Sequence, residues 1–75
     1  MSDIKELPRG FIAEFVDYGD GTNNAYLSKK VNGREYTGSL AFVGDFMEIE
    51  DGFAALNVPQ SIYDLAYTWA VSKGY

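Results

Sequence analysis

Histidine and cysteine are both absent from the 75 residues of this chain. Without histidine, no side chain has an unperturbed pKa close to neutrality. Without cysteine, there is no thiolate nucleophile, no disulfide, and no zinc–thiolate or iron–sulfur ligand. Because the groups most often used in catalysis are missing, we expect a protein that is not an enzyme and that holds no cofactor and no metal.

Positive charge and long apolar runs are also scarce. The chain has six lysine or arginine residues against eleven aspartate or glutamate residues, for a formal net charge of -5 at pH 7. Direct binding to DNA, RNA or an anionic membrane requires a basic surface, so none of these is an expected partner. No apolar run approaches the roughly 20 residues of a membrane span, and the polar start at residues 1–6 does not resemble a secretion signal. We therefore expect a cytoplasmic protein.

What is present is the composition of one small folded domain. Aromatic residues make up 16% of the chain, whereas a disordered acidic segment is poor in them. We expect a single domain over residues 1–75, in which residues 1–9 form a loose arm or one short turn ending near Pro8. A chain of this size buries only about 60% of the surface that it exposes when unfolded, so a second subunit or a partner is a natural further source of stability.

The strand pattern predicts an antiparallel meander of three or four strands. The predicted strands are residues 10–18, 25–31 and 34–43, and then 46–50, where a short helix is the alternative; residues 53–58 are ambiguous. Asn32-Gly33 is the strongest turn signal, because both central residues of a type I′ turn need positive φ. A two-residue loop there pairs Lys30 with Glu35, which are oppositely charged, and Ser28 with Thr37, which are both hydroxyl residues.

A helix is predicted from Pro59 to Lys73. Pro59 suits the first turn, Ser61 with Asp64 resembles a capping box, and Gly74 suits the end of the helix. The fold class is therefore α+β, a three- to four-stranded antiparallel meander with one C-terminal helix packed on the sheet. The expected core consists of Phe15, Val16, Leu27, Leu40, Phe42, Ile62, Leu65 and Trp69. Which of Phe15 and Val16 faces the helix stays open.

The helix is apolar over more than one face. Its expected core stripe is Ile62, Leu65, Ala66 and Trp69. Tyr63, Tyr67, Ala70 and Val71 extend the apolar arc beyond that stripe, and Tyr63, Tyr67 and Val71 are the candidates for a second contact. A helix on one small sheet buries only about half its circumference, and tyrosine is a common interface anchor. We therefore expect these three residues to contact a partner, unless residues 46–58 or the N-terminal arm cover them.

Acidic residues form the second candidate surface. The run contains Asp45, Glu48, Glu50 and Asp51. In a strand, Glu48 and Glu50 lie on the same face roughly 6.7 Å apart. Such a row can imitate a phosphate backbone or receive the arginines and lysines of a basic protein. The alternatives are a solvated face that keeps the protein soluble, or protection of a sheet edge.

A calcium loop fits poorly. Asp20, Thr22 and Asn24 supply suitable ligand types at the first, third and fifth positions of such a loop. Ala25 then occupies the position that needs glycine, and Val31 the position that needs a bidentate glutamate. An ordinary hairpin loop rich in aspartate, asparagine and glycine is the better interpretation.

Two resemblances follow from the order of the elements. A meander followed by one helix resembles the three-stranded DNA-binding domains of plant and phage-integrase type, but those read DNA with basic strand residues. Here Glu14, Asp17, Asp20, Glu48 and Glu50 have the wrong sign. The chain is also similar in length, charge and element order to the small acidic inhibitors that phages encode, among them anti-CRISPR proteins. That resemblance implies an inhibitor that occupies the basic groove of a nucleic-acid-binding host protein.

The sequence thus favours a non-catalytic protein-binding module, an acidic inhibitor of a basic partner that normally binds nucleic acid. Glu48, Glu50 and Asp51 are expected to steer the encounter, and Tyr63 and Tyr67 to anchor it. The alternative is a small structural subunit that assembles with itself, with the second face of the helix closing a homodimer.

Overall fold

The computed structural model describes residues 2–40, 46–49, 52–55 and 58–75. The strands run in chain order: β1 Ser2–Glu6, β2 Phe11–Asp17, β3 Asn23–Val31, β4 Arg34–Ser39, β5 Phe46–Ile49 and β6 Gly52–Ala55; the helix α1 is Gln60–Lys73. Each strand pairs antiparallel with the next, so the sheet is a simple meander in the order β1 to β6. The helix packs on one face of this sheet, mainly against β2. The predicted α+β class is confirmed.

Strand alternation divides the sheet into a covered and an open face. Phe11, Ala13 and Phe15 of β2 are buried, and so are Ala25 and Leu27 of β3. Because successive side chains of a strand point to opposite faces, these residues all lie beneath α1. The choice left open at β2 is settled in favour of Phe15.

Two of the predicted core residues are not in the core, a third is only partly buried, and a fourth lies outside the described residues. Val16 is on the open face of β2 and is only half-buried, so its placement in the core was wrong. Leu65 was also wrong, since 46% of its surface is exposed. Trp69 is partly buried against the edge of the core. Phe42 lies outside the described residues.

The loose arm predicted at residues 1–9 is wrong. Residues 2–6 form β1, which pairs with β2 along its whole length, from Ser2 opposite Val16 to Glu6 opposite Ile12. A turn of 3-10 helix at Pro8–Gly10 reverses the chain, with Arg9 and Gly10 both at positive φ. All five β1 residues are exposed, so the strand has no apolar side to reveal it in the sequence.

The Asn32-Gly33 hairpin has the predicted register. Lys30 stands opposite Glu35 and Ser28 opposite Thr37, and both turn residues have positive φ. The fourth strand is confirmed as β5, and the ambiguous segment contributes β6.

The helix begins one residue later than predicted, with Pro59 at its N-cap, and ends as expected before Gly74, whose φ is 120°. The capping box is wrong. No side chain caps the first turn, and the Asp64 carboxylate instead accepts a hydrogen bond from the side-chain amide of Gln60 at 2.9 Å.

Candidate functional site

Three tyrosines form a continuous row along one flank of α1. Tyr63 and Tyr67 are one helical turn apart, which places their side chains side by side. Their rings are stacked with centroids 6.1 Å apart and planes at 18°. Tyr75 meets Tyr67 edge-on, with centroids 5.9 Å apart and planes at 88°. We call Tyr63, Tyr67 and Tyr75 the tyrosine row.

The two ends of the tyrosine row are fixed by contacts to the backbone. The Tyr63 hydroxyl donates a hydrogen bond to the Leu40 carbonyl at 3.1 Å, which ties the helix to the end of β4. At the other end, Gly74 turns the chain back, and the Tyr75 amide donates to the Ala70 carbonyl at 3.1 Å. Tyr67 lies between these fixed rings and is 46% exposed. The row is therefore largely preorganised for contact with another molecule.

An open groove of about 400 Å³ runs beside the row. Its lining residues are Tyr63, Asp64, Tyr67 and Thr68. An aromatic ring can attract a cation through its negative quadrupole, and the groove also contains the carboxylate of Asp64. We call these four residues the tyrosine–aspartate groove. Its chemistry suits a cationic side chain.

Tyr75 lies against the other two tyrosines, and its ionisation is disfavoured. Burial raises the pKa of the Tyr75 hydroxyl, and the nearby Tyr63 and Tyr67 hydroxyls raise it further. Elsewhere, the Tyr18 hydroxyl has a raised pKa chiefly because it shares a hydrogen bond with the Tyr26 hydroxyl, at 2.9 Å.

The two candidate surfaces predicted from the sequence fare differently. Tyr63 and Tyr67 come together as described, and Val71 is exposed one turn further along the same flank without lining the groove. The backbone of Glu48 lies in β5 opposite Thr37. Asp45, Glu50 and Asp51 lie outside the described residues, so their part in binding stays a prediction.

The N-terminal segment does not cover the tyrosine row. It forms β1, on the far side of β2, and reaches α1 through an ion pair between Asp3 and Lys73 at 3.4 Å. Lys73 also sits over the Trp69 ring, 5.9 Å from its centroid. These contacts occupy the helix flank opposite Tyr67, which leaves the tyrosine row open among the described residues.

Asp64 and Tyr75 were missed as site residues by the sequence analysis. Asp64 was interpreted as part of a capping box, although it lies three residues before Tyr67 and is therefore its neighbour on the helix surface. Tyr75 lies beyond the end of the helix, where helical periodicity does not predict which way a side chain points. The available signal was Gly74, because a glycine at positive φ turns the chain back over the last helical turn.

The loop between β2 and β3 uses its carboxylates for its own turns. Asp17 accepts the Gly19 amide at 2.9 Å, and Asp20 accepts the Thr22 amide at 3.0 Å. The Thr22 hydroxyl also donates to Asp20, and this bond is the main reason that the pKa of Asp20 is lowered. Within the part of the chain that the structure describes, no three acidic residues gather as a metal-binding group.

No helix among the described residues is long and apolar enough to cross a membrane. Compared with known proteins, the chain matches no family model, no curated protein and no solved structure at a significant level.

Proposed function

We propose that this protein is a non-catalytic protein-binding module, an acidic inhibitor of a basic partner that itself binds nucleic acid. The carrying observation is the tyrosine–aspartate groove, in which two stacked rings and a carboxylate line one open depression on an exposed helix flank. In this proposal, an arginine or lysine side chain of the partner enters the groove.

The groove chemistry supports a basic partner more than an apolar one. A cation over a tyrosine ring gains about 0.5–1 kcal/mol at an exposed site, and more when water is excluded. Arginine suits this site particularly well, because its flat guanidinium can stack on Tyr67 while its N–H groups reach the Asp64 carboxylate. The side-chain amide of Gln60 already orients that carboxylate through the 2.9 Å hydrogen bond.

The net charge of -5 supports the same partner at longer range. Opposite charge raises the rate of encounter, and the burial of a few aromatic anchors then slows dissociation. Glu48, Glu50 and Asp51 are the proposed steering residues. By resemblance to small acidic phage inhibitors, among them anti-CRISPR proteins, the proposed outcome is that the bound module covers the nucleic-acid-binding surface of its partner.

The test compares three baits in affinity capture from a lysate of the source or its host, each eluted along a salt gradient. The baits are the wild-type protein, Tyr67→Ser and Leu65→Ser. Tyr67 and Leu65 are equally exposed, at 46%, and they lie about 200° apart around the helix axis because each residue turns the helix by about 100°. Leu65→Ser therefore controls for the loss of an exposed apolar side chain.

We expect the wild type and Leu65→Ser to capture the same basic nucleic-acid-binding protein, and Tyr67→Ser to lose it. The purified module should then reduce nucleic-acid binding by the captured protein, with a weaker effect at high salt. Equal capture by all three baits would show that the groove is not the docking site. If the captured protein bound nucleic acid unchanged in the presence of the module, the inhibitory role would be wrong.

A further inference from the structure

β1 is an edge strand of the sheet and is exposed along its whole length. All five of its residues are exposed, and Ile4, at 65%, exceeds every other large hydrophobic side chain described. An edge strand carries unpaired N–H and C=O groups, which are a template for a further strand. Proteins commonly protect such edges, so the charges along β1 decide what it can accept.

One contact shows which backbone groups of β1 point towards β2 and which point away from the sheet. The Leu7 amide donates to the Phe11 carbonyl at 2.8 Å, in line with the β1–β2 register. Hydrogen-bonded and non-hydrogen-bonded pairs alternate in an antiparallel ladder. Lys5 and Asp3 therefore direct their backbone groups towards β2. The backbone N–H and C=O groups of Ser2, Ile4 and Glu6 point away from the sheet.

A second copy of β1 can use these groups in an antiparallel, twofold arrangement centred on Ile4. Ile4 then stands opposite the Ile4 of the second copy, and the two residues exchange a pair of N–H to C=O hydrogen bonds. In that register Asp3 faces the second copy's Lys5, and Lys5 faces its Asp3. Each interface therefore contains two opposite-charge pairs and one apolar pair, all favourable combinations across strands.

Charge also selects this register over its neighbours. The two adjacent registers that keep the outward backbone groups in phase are centred on Asp3 or on Lys5. They place Asp3 opposite a second Asp3, or Lys5 opposite a second Lys5, and like charges directly opposite each other are destabilising. The alternating signs along β1 thus disfavour slipped pairings and favour the one centred on Ile4.

The contact between Asp3 and α1 extends the charge network. Asp3 already lies 3.4 Å from the Lys73 ammonium. A second copy brings its Lys5 to the other side of the same carboxylate, so that Asp3 lies between two cations. The Ile4 side chains meet on the open face of the sheet, where Ile12 is also exposed.

We propose that two copies of this chain associate through antiparallel pairing of their β1 strands, centred on Ile4, to form one sheet that continues across the dimer. The occupant of the edge is a second copy, because β1 is complementary to itself in charge and in hydrogen-bond phase. This interface is separate from the helix face considered in the sequence analysis.

The first test reverses the charge at Asp3 or Lys5 by substitution. Sedimentation velocity over a dilution series then measures dimerisation of each variant. Lys5→Glu and Asp3→Lys each turn both opposite-charge pairs into like-charge pairs, so each variant should dimerise at least about tenfold more weakly than the wild type. The double variant Asp3→Lys/Lys5→Glu restores the complementarity and should dimerise like the wild type. An equimolar mixture of the two single variants should also form dimers, because each then presents to the other the opposite charge.

A second test blocks the edge without disturbing the fold. The Ile4 amide points away from β2, so Ile4→Pro removes a hydrogen-bond donor that the monomer does not use. We expect this variant to be monomeric with the wild-type circular dichroism spectrum. Lys5→Pro is the matched control, because it removes an amide that does bond to β2 and should lower the thermal stability of the monomer.

The proposal is overturned if the wild type stays monomeric at every concentration. It is also overturned if Ile4→Pro remains folded and dimerises as strongly as the wild type. A third contradicting outcome is that Asp3→Lys/Lys5→Glu fails to restore the dimerisation lost in the single variants. Dimerisation lost in Tyr67→Ser but retained in Ile4→Pro would assign the dimer to the helix face instead.

Discussion

Alanine determines how closely the helix approaches the sheet. Ala66 and Ala70 of α1 are fully buried, and so are Ala13 and Ala25 on the facing strands. Small side chains on both elements bring the backbones together, while Ile62 fills the space near the start of the helix. Helical periodicity favoured the larger Leu65 and Trp69 as core residues, so the predicted core stripe was rotated away from Ala70.

The corrected stripe can be tested with two unequal truncations. Ile62 is 2% exposed and Leu65 46%. Ile62→Val removes one methylene from the core and should lower the free energy of unfolding by about 0.5–1.5 kcal/mol. Leu65→Ala removes three carbons but should change it by less than about 0.5 kcal/mol, since surface substitutions rarely do more. Urea denaturation measures the free energy of unfolding of both variants. A larger loss for Leu65→Ala than for Ile62→Val would mean that Leu65 belongs to the core, as the sequence predicted.

Thr22 gives a residue-scale prediction of pH dependence. The Thr22 hydroxyl is the main cause of the lowered pKa of Asp20, followed by the Thr22 amide. A carboxyl group whose pKa is lowered by folding contributes stability above its unfolded pKa, and this contribution is lost as the pH falls through the folded value. Thr22→Val should therefore raise the pKa of Asp20 and reduce the contribution of Asp20 to acid destabilisation.

Carboxyl-carbon NMR titration of Asp20 measures that shift directly. Thr22→Ser is the control, because it keeps the hydroxyl donor and should leave the pKa of Asp20 lowered. An unchanged Asp20 titration in Thr22→Val would mean that the backbone amides alone hold the carboxylate in its ionised form.

Among the elements, those with local signals were predictable from the sequence. Asn32-Gly33 specifies a turn that needs positive φ at both residues, and that turn fixes the pairing of β3 with β4. The helix was predictable because Pro59 and Gly74 mark its two ends. These signals depend on a few neighbouring residues, and tertiary contacts did not override them.

The elements that escaped prediction depend on distant partners. β1 has no buried residue and exists because its backbone pairs with β2. The tyrosine row was half-predicted, since helical spacing joins Tyr63 to Tyr67 but says nothing about Tyr75 beyond the helix end. The hydrogen bond from Tyr63 to the Leu40 carbonyl joins residues that are 23 positions apart, which no periodicity in the sequence reveals.

On the scale of the whole molecule, the two proposed surfaces are separated across the sheet. The tyrosine–aspartate groove belongs to the helix flank that contacts the end of β4 through Leu40, whereas the dimer edge is β1. Two strands separate β1 from β4, so the strands are roughly 14 Å apart at the usual spacing. Pairing of two β1 strands therefore leaves both grooves of the dimer open, and a dimer presents two sites to a basic partner.

This separation predicts that partner binding and self-association can be removed independently. Ile4→Pro should abolish the dimer while each protomer binds an arginine-rich peptide as the wild type does. Tyr67→Ser should weaken peptide binding, measured by calorimetry in low salt, while sedimentation still shows the dimer. Because the effects of distant substitutions usually add, the double variant should lose both properties. Its loss of stability should equal the sum of the losses in the two single variants. If Ile4→Pro weakened peptide binding by the protomer as much as Tyr67→Ser does, the two surfaces would form one site, and the separation seen in the fold would not extend to function.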